Sequence, residues 1–114
     1  MLTIDPKKGI QTVILTYDVA PGASTEVRET LSASYKSFIS HQPGFVAAAI
    51  HINDAQTRVA SYSQWETREA FQAVLRSEEM RETNRKLSDL SKGFIPVMYD
   101  VAEVFLLNTT TPLP

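Results

Sequence analysis

Residues 43–66 are the part of the chain that most constrains its fold. Two runs rich in β-branched and small apolar residues, Phe45–Ile52 and Thr57–Trp65, flank the polar cluster Asn53–Gln56. Asn and Asp favour turns because their side chains form hydrogen bonds with the turn backbone. The stretch therefore predicts a β-hairpin with a four-residue loop, ending at the only tryptophan of the protein.

The register of this hairpin decides which side chains share a face. A four-residue loop would place Ala48 opposite Ser61 and Ile50 opposite Val59. Because side chains alternate along a strand, one face would then carry Ala48, Ile50, Val59, Ser61, Ser63 and Trp65. The other face carries mostly small side chains, which predicts that helices pack against it: Ala47, Ala49, His51, Ala60 and Tyr62.

The segment before the hairpin predicts one strand and one helix. Ile10–Val19 is rich in β-branched residues and is followed by a Pro-Gly pair, as is typical of a strand and its end. From Ser24 to about Ser40, apolar residues recur at intervals of three and four, which predicts a helix. Ser24 or Thr25 is expected to cap its first turn.

The segment after the hairpin predicts more helix and a last strand. Thr67 is a candidate cap for a second helix, and Ser77 is a second start signal, so a separate short helix is expected beyond it. The apolar run Ile95–Leu107 predicts strand 4. Residues 108–114, rich in Thr and Pro, are expected to form a tail, and residues 1–9 another.

The order strand, helix, strand, strand, helix, strand predicts the fold class. It is the α+β ferredoxin-like βαββαβ plait, an antiparallel four-stranded sheet with helices on one face, in one domain over residues 10–107. Phe45–Ile50 and Val101–Leu107 are apolar on both faces, whereas helices cover only one. A homodimer in which two sheets face each other is therefore expected, with a bound apolar ligand as the alternative cover.

Composition excludes several classes of function. The chain of 114 residues has a net charge of −2, which gives no electrostatic footprint for nucleic acid or an anionic membrane surface. It has no cysteine, its four glycines are isolated, and its two histidines lack metal-ligand spacing, so no cofactor or metal is expected. No signal peptide or membrane-spanning run occurs, and a cytoplasmic protein is expected.

The hairpin and the start of the second helix resemble a known family. Pro43-Gly44-Phe45-Val46, Ile50-His51, Thr57-Arg58-Val59, Tyr62-Ser63-Gln64-Trp65-Glu66 and Glu69-Ala70-Phe71 are similar to the antibiotic biosynthesis monooxygenase domain. The resemblance extends over roughly residues 10–107. It implies a dimeric α+β barrel and, from members of known chemistry, oxidation of polyketide anthrones to quinones with dioxygen and no metal, flavin or haem. The haem-degrading branch is less similar, because its iron ligand is a histidine on helix 2 and no histidine follows His51.

The resemblance also implies site residues. Trp65 matches the tryptophan that lines the family's pocket. Ser61 replaces an asparagine found four residues earlier, and Phe71 replaces a tyrosine found six residues later. Trp65 and Ser61 are therefore the candidate catalytic residues, with substrate-binding candidates Ile50, Ala48, Val59, Ser63, Phe71 and Tyr99.

The residue types leave alternatives open at each position. Trp65 suits stacking on an aromatic ring, but a tryptophan at a strand end is also a common core anchor. Ser61 is either a functional hydroxyl or a small residue beside a bulky neighbour. His51 is a possible acid or base because its ordinary pKa lies near neutrality. The phenol of Tyr17, Tyr62 or Tyr99 could also reach a cavity.

The first functional hypothesis is a cofactor-independent monooxygenase that acts on an aromatic polyketide, anthrone-like or quinol substrate with dioxygen. Such a substrate supplies its own electrons, so the protein must bind a flat ring system, stabilise its anion and exclude water. The alternatives are a non-catalytic small-molecule-binding dimer and a cofactor-free polyketide cyclase or isomerase. The departures at Ser61 and Phe71 are the features that favour a non-catalytic binder.

Overall fold

The computed structural model describes residues 2–5 and 9–107. Within these residues the elements are β1 (Gln11–Val19), α1 (Ser24–Ser37), a single 3₁₀ turn (Ile39–His41), β2 (Phe45–Ile52), β3 (Arg58–Trp65), α2 (Arg68–Leu75), α3 (Glu78–Leu90) and β4 (Ser91–Tyr99). The strands form one antiparallel sheet in the order β2-β3-β1-β4. This confirms the ferredoxin-like fold. The predicted tail at 108–114 and part of the one at 1–9 lie outside the described residues.

The hairpin β2–β3 has a longer loop than predicted, and its register is shifted by two residues. Ala48 lies opposite Ser63, and Ile50 lies opposite Ser61. The side chain of Asn53 organises the loop: its Oδ1 accepts hydrogen bonds of 2.9 Å from the backbone N–H groups of Thr57 and of the residue after it. A shift of two preserves the face of every side chain, so the predicted grouping into faces is retained.

The prediction of which face the helices cover was wrong. The helices pack on the face that carries Val59, Ser61, Ser63 and Trp65, all at most 1% exposed. In β1 the same face presents four large buried side chains to the helices: Val13, Leu15, Tyr17 and Val19. The free energy gained by burying these large apolar side chains is greater than the gain from the closer helix packing that the alanines of the opposite face would allow. His51 consequently lies on the outer face, away from the helices.

The helix boundaries agree with the sequence except at the first cap. Thr67 caps α2, with its Oγ1 accepting from the backbone N–H of Ala70 at 3.1 Å. The break at Ser77 and the separate helix α3 are also present. Neither Ser24 nor Thr25 caps α1: no side chain caps this helix, and the Ser24 hydroxyl instead donates to the Gln56 side chain at 3.4 Å.

Strand β4 begins and ends earlier than predicted. It starts directly after α3 and ends at Tyr99, which lies opposite Thr12 near the first residue of β1. Beyond that point β1 offers no backbone for pairing, so residues 100–107 form no strand. They expose large apolar side chains instead, with Phe105 and Leu107 each 83% exposed. No helix within the described residues is long and apolar enough to span a membrane.

Candidate functional site

A small cavity of about 40 Å³, which we call the closed cavity to distinguish it from a wider groove, lies largely enclosed between the sheet and the helices. The sheet contributes Leu15, Tyr17, Ser61 and Trp65 to its lining. α1 and the 3₁₀ turn contribute Leu31, Tyr35 and Ile39, and the other two helices contribute mainly apolar side chains, with Phe71 facing Trp65. Its volume is close to that of one water molecule, and its lining is apolar with a few polar groups.

Four side chains form the polar network of this cavity. The indole Nε1–H of Trp65 donates to Ser63 Oγ at 2.9 Å, and the hydroxyl oxygens of Tyr35 and Ser61 lie 2.6 Å apart. Ser63 is also close enough to the Tyr35 hydroxyl to affect its pKa. The three sheet residues of the network alternate along β3 on one face, and Tyr35 reaches them from α1.

Burial raises the pKa of the Tyr35 hydroxyl above its usual value, and the hydrogen bonds from Ser61 and Ser63 offset part of that rise. Burial also raises the pKa of Tyr17, and the neighbouring Tyr35 adds to this effect. Both phenols therefore stay protonated at neutral pH, because the low-dielectric surroundings disfavour the phenolate. They are hydrogen-bond donors rather than bases.

An open groove of about 550 Å³ runs beside the cavity, between α1 and the edge strand β2. We call it the α1–β2 groove, and define it by Ser32, Tyr35, Lys36, Phe45, Ala48 and Ile50. Phe45 is also packed edge-on against Trp65, with ring centroids 5.4 Å apart. Within the described residues, Tyr35 is the one side chain that lines both the groove and the closed cavity.

The structure brings most of the candidate site residues together. Trp65, Ser61 and Phe71 line the cavity, and Ser63 is bonded to the indole of Trp65. Ala48 and Ile50 line the adjoining groove. Val59 lies on the same face of the sheet, fully buried in the core, and lines neither space.

Two candidates lie away from this site. Tyr99 is 47% exposed and pairs with Thr12 on the outer face of the sheet. His51 is exposed on the same outer face. Tyr62 also lies there, with its hydroxyl accepting from Gln64 Nε2 at 2.9 Å. Among the described residues there is no group of three or more His, Asp or Glu side chains placed to hold a metal ion.

The sequence reasoning missed Tyr35. It lies on the apolar stripe of α1, and its spacing from Leu31 and Phe38 indicated a core position. The signal that was available is its hydroxyl, because a buried tyrosine hydroxyl usually requires a hydrogen-bond partner. The serines at alternate positions of the facing strand provide that partner.

Comparison with known proteins places this geometry in a family. The family model described as antibiotic biosynthesis monooxygenase matches residues 10–86. The chain belongs to this family. Tetracenomycin-F1 monooxygenase from Streptomyces glaucescens is 34% identical over 74 residues, which span 65% of this chain and 66% of that enzyme, just under two thirds of its length.

Two solved structures have folds similar to that of this chain. The monooxygenase ActVA-Orf6 from Streptomyces coelicolor, solved with nanaomycin D, has a TM-score of 0.78 and 24% identity, over 91% of this chain and 96% of that one. SnoaB, a cofactor-independent oxygenase from Streptomyces nogalater, has a TM-score of 0.74 and 20% identity, over 84% of this chain and 96% of that one.

Proposed function

We propose that this protein is a cytoplasmic, cofactor-independent monooxygenase that oxidises an anthrone-like aromatic polyketide or a quinol with dioxygen. The observation that carries the proposal is the small apolar site at Trp65, where the indole donates to Ser63 and the Tyr35 hydroxyl is hydrogen-bonded to Ser61. The relatives support the same class: one is named a tetracenomycin-F1 monooxygenase and another a cofactor-independent oxygenase.

The reaction balances without a cofactor. Loss of a proton from the ring CH₂ of an anthrone gives a delocalised carbanion, which transfers electrons to dioxygen. A C–O bond forms, the O–O bond then breaks, and the CH₂ group becomes a carbonyl while the second oxygen atom leaves as water. The substrate supplies all four electrons. In this scheme Trp65 packs against Phe45 at the wall of the adjoining groove, and the hydroxyl of Ser61 acts on the substrate oxyanion through its hydrogen bond with Tyr35.

Oxygen uptake with dithranol tests the proposal. We expect one dioxygen consumed per substrate and a product that has gained one oxygen atom and lost two hydrogens. Trp65→Phe keeps an aromatic ring but removes the Nε1–H bond to Ser63, and we expect the rate to fall by about tenfold or more. Asp54→Asn, at an exposed position of the β2–β3 loop, is the control and should retain the wild-type rate. Absence of uptake by the wild-type protein would refute the proposal.

We also propose that the protein acts as a homodimer formed through the outer face of the sheet. That face exposes Ile95 (72%), Val97 and Tyr99, and large apolar side chains of residues 105–107 are exposed close by in the chain. A second copy would cover this apolar surface symmetrically. Sedimentation velocity at micromolar concentration should give a dimer, and Ile95→Lys should shift it towards monomer. A wild-type monomer would refute this part of the proposal.

One observation favours a second function, a non-catalytic protein that binds aromatic small molecules. The Ser61 hydroxyl is already held by Tyr35, and the closed cavity is too small for a ring system. A binder would show quenching of Trp65 fluorescence by dithranol under anaerobic conditions, and no oxygen consumption when air is admitted. Turnover in the same sample would refute this second function.

A further inference from the structure

Tyr35 separates two spaces of very different size. The closed cavity of about 40 Å³ is far below the roughly 300–1,000 Å³ of small-molecule pockets, whereas the α1–β2 groove, at about 550 Å³, is within that range. The ring of Tyr35 forms part of the wall of each. A planar ligand bound in the groove would therefore lie against this ring, with the Trp65 network directly behind it.

The hydroxyl of Tyr35 can donate its proton to such a ligand. A phenol oxygen accepts hydrogen bonds and donates one. The hydroxyl oxygens of Tyr35 and Ser61 lie 2.6 Å apart, and either group can be the donor. When Ser61 donates, the proton of Tyr35 is left for another acceptor.

The groove also has walls suited to a flat ring system. Phe45, Ala48 and Ile50 give it an apolar floor along β2, and Tyr35 faces them from α1. Tyr35 and Phe45 are tilted by 54° with ring centroids 6.1 Å apart, so the groove already holds a pair of interacting aromatic rings. A ring oxygen on a planar ligand can accept the proton of Tyr35.

We infer that the α1–β2 groove binds the substrate, and that Tyr35 donates a hydrogen bond to a carbonyl or phenolate oxygen on its planar aromatic ring. The inference rests on the proposed function for the class of ligand. It assigns to α1 a substrate-binding residue whose hydroxyl is held by Ser61. Ser61 acts through Tyr35 when it donates to the phenol oxygen and leaves the phenol proton for the ligand.

A matched pair of probes tests the inference. Anthraquinone-2-sulfonate and anthracene-2-sulfonate share ring shape and charge and differ in the two ring carbonyls. Isothermal titration calorimetry should show that Tyr35→Phe weakens binding of the quinone by about tenfold, the size of one hydrogen bond in a buried site, and changes the affinity for the hydrocarbon by less than about twofold. Tyr62→Phe, on the outer face, removes a tyrosine hydroxyl elsewhere and should change neither affinity.

A second variant tests the location without altering Tyr35. Ala48→Leu adds bulk to the floor of the groove and should weaken both probes by a similar factor. Wild-type affinities in Ala48→Leu would overturn the groove as the binding site. Equal loss of both probes in Tyr35→Phe, or no loss of either, would overturn the hydrogen bond to the ring oxygen.

Oxygen uptake separates this inference from the proposed function. If the wild-type protein binds the quinone through Tyr35 and consumes no oxygen with dithranol, the monooxygenase proposal falls and the assignment of Tyr35 stands. If Tyr35→Phe retains both wild-type oxygen uptake and wild-type quinone affinity, the assignment falls and the monooxygenase proposal stands.

Discussion

Gly44 lies close against Ala70 of α2, and its replacement by alanine should be unusually costly. A Cβ at Gly44 would lie 2.5 Å from the Cβ of Ala70. Two Cβ atoms do not come this close in folded proteins, so the backbone of α2 would have to shift. Gly44 also has a φ of +86°, where an L residue costs about 1–2 kcal/mol. Overpacking adds about 1–3 kcal/mol, so Gly44→Ala should lower the free energy of unfolding by about 2–5 kcal/mol.

Gly22→Ala is the matched control for this prediction. Gly22 has a similar φ of +89° but no atom within 4 Å of the added Cβ. Gly22→Ala should therefore lower the free energy of unfolding only by the backbone cost of about 1–2 kcal/mol. Urea unfolding followed by Trp65 fluorescence, at one fixed protein concentration, measures both. In Gly44→Ala, adding Ala70→Gly removes the clashing atom and should recover part of the loss. Equal destabilisation by the two glycine substitutions, without recovery in the double variant, would refute the packing explanation.

Three further predictions concern other parts of the molecule. Thr12 is 5% exposed, and its hydroxyl is buried without a partner among the described residues. Thr12→Val should therefore leave the free energy of unfolding, measured by urea unfolding, unchanged or raise it by up to about 1 kcal/mol. A decrease of more than about 1 kcal/mol would contradict the expectation. Asn53→Ala removes the side chain that organises the β2–β3 loop and should cost about 1–3 kcal/mol, whereas Asp54→Ala in the same loop should cost less than about 0.5 kcal/mol. The pKa values of Tyr17 and Tyr35 are raised in the folded state, so their contribution to stability is fully present below the unfolded-state pKa of 10.0 and is lost as the pH rises through the folded-state pKa values. The free energy of unfolding should therefore fall above about pH 10, and it should fall less steeply in Tyr35→Phe. An unchanged slope in that variant would count against the buried phenol.

Local chemistry in the sequence was sufficient for the elements and the fold class. The β-branched residues of β1, the three-and-four spacing in α1 and the helix start signals at Thr67 and Ser77 act within a few residues of chain, so they can be recognised without the rest of the structure. The register of the hairpin was missed by two residues, because the bonds of the Asn53 side chain lengthen a loop whose composition also fits a shorter one.

The candidate site residues that the resemblance pointed to on β3 and α2 lie close together in the structure. Trp65, Ser61 and Phe71 meet in one cavity, as expected of residues on one face of a strand and the helix packed against it. Tyr99 lies apart from them on the outer face, because its pairing with Thr12 of β1 sets the face that it presents. No spacing rule connects Tyr35 to Ser61, which lies 26 residues further along the chain.

The sequence by itself determined that this chain is an α+β plait, that it belongs with the antibiotic biosynthesis monooxygenases, and that Trp65 lies at the end of its central hairpin. These properties follow from periodicity, capping and short motifs, all of which are local. Only the tertiary structure decided which face of the sheet the helices cover, and hence that Trp65 and Ser61 face α1 and Tyr35. That choice depends on the summed burial of apolar side chains from every element at once, which no single stretch of sequence contains.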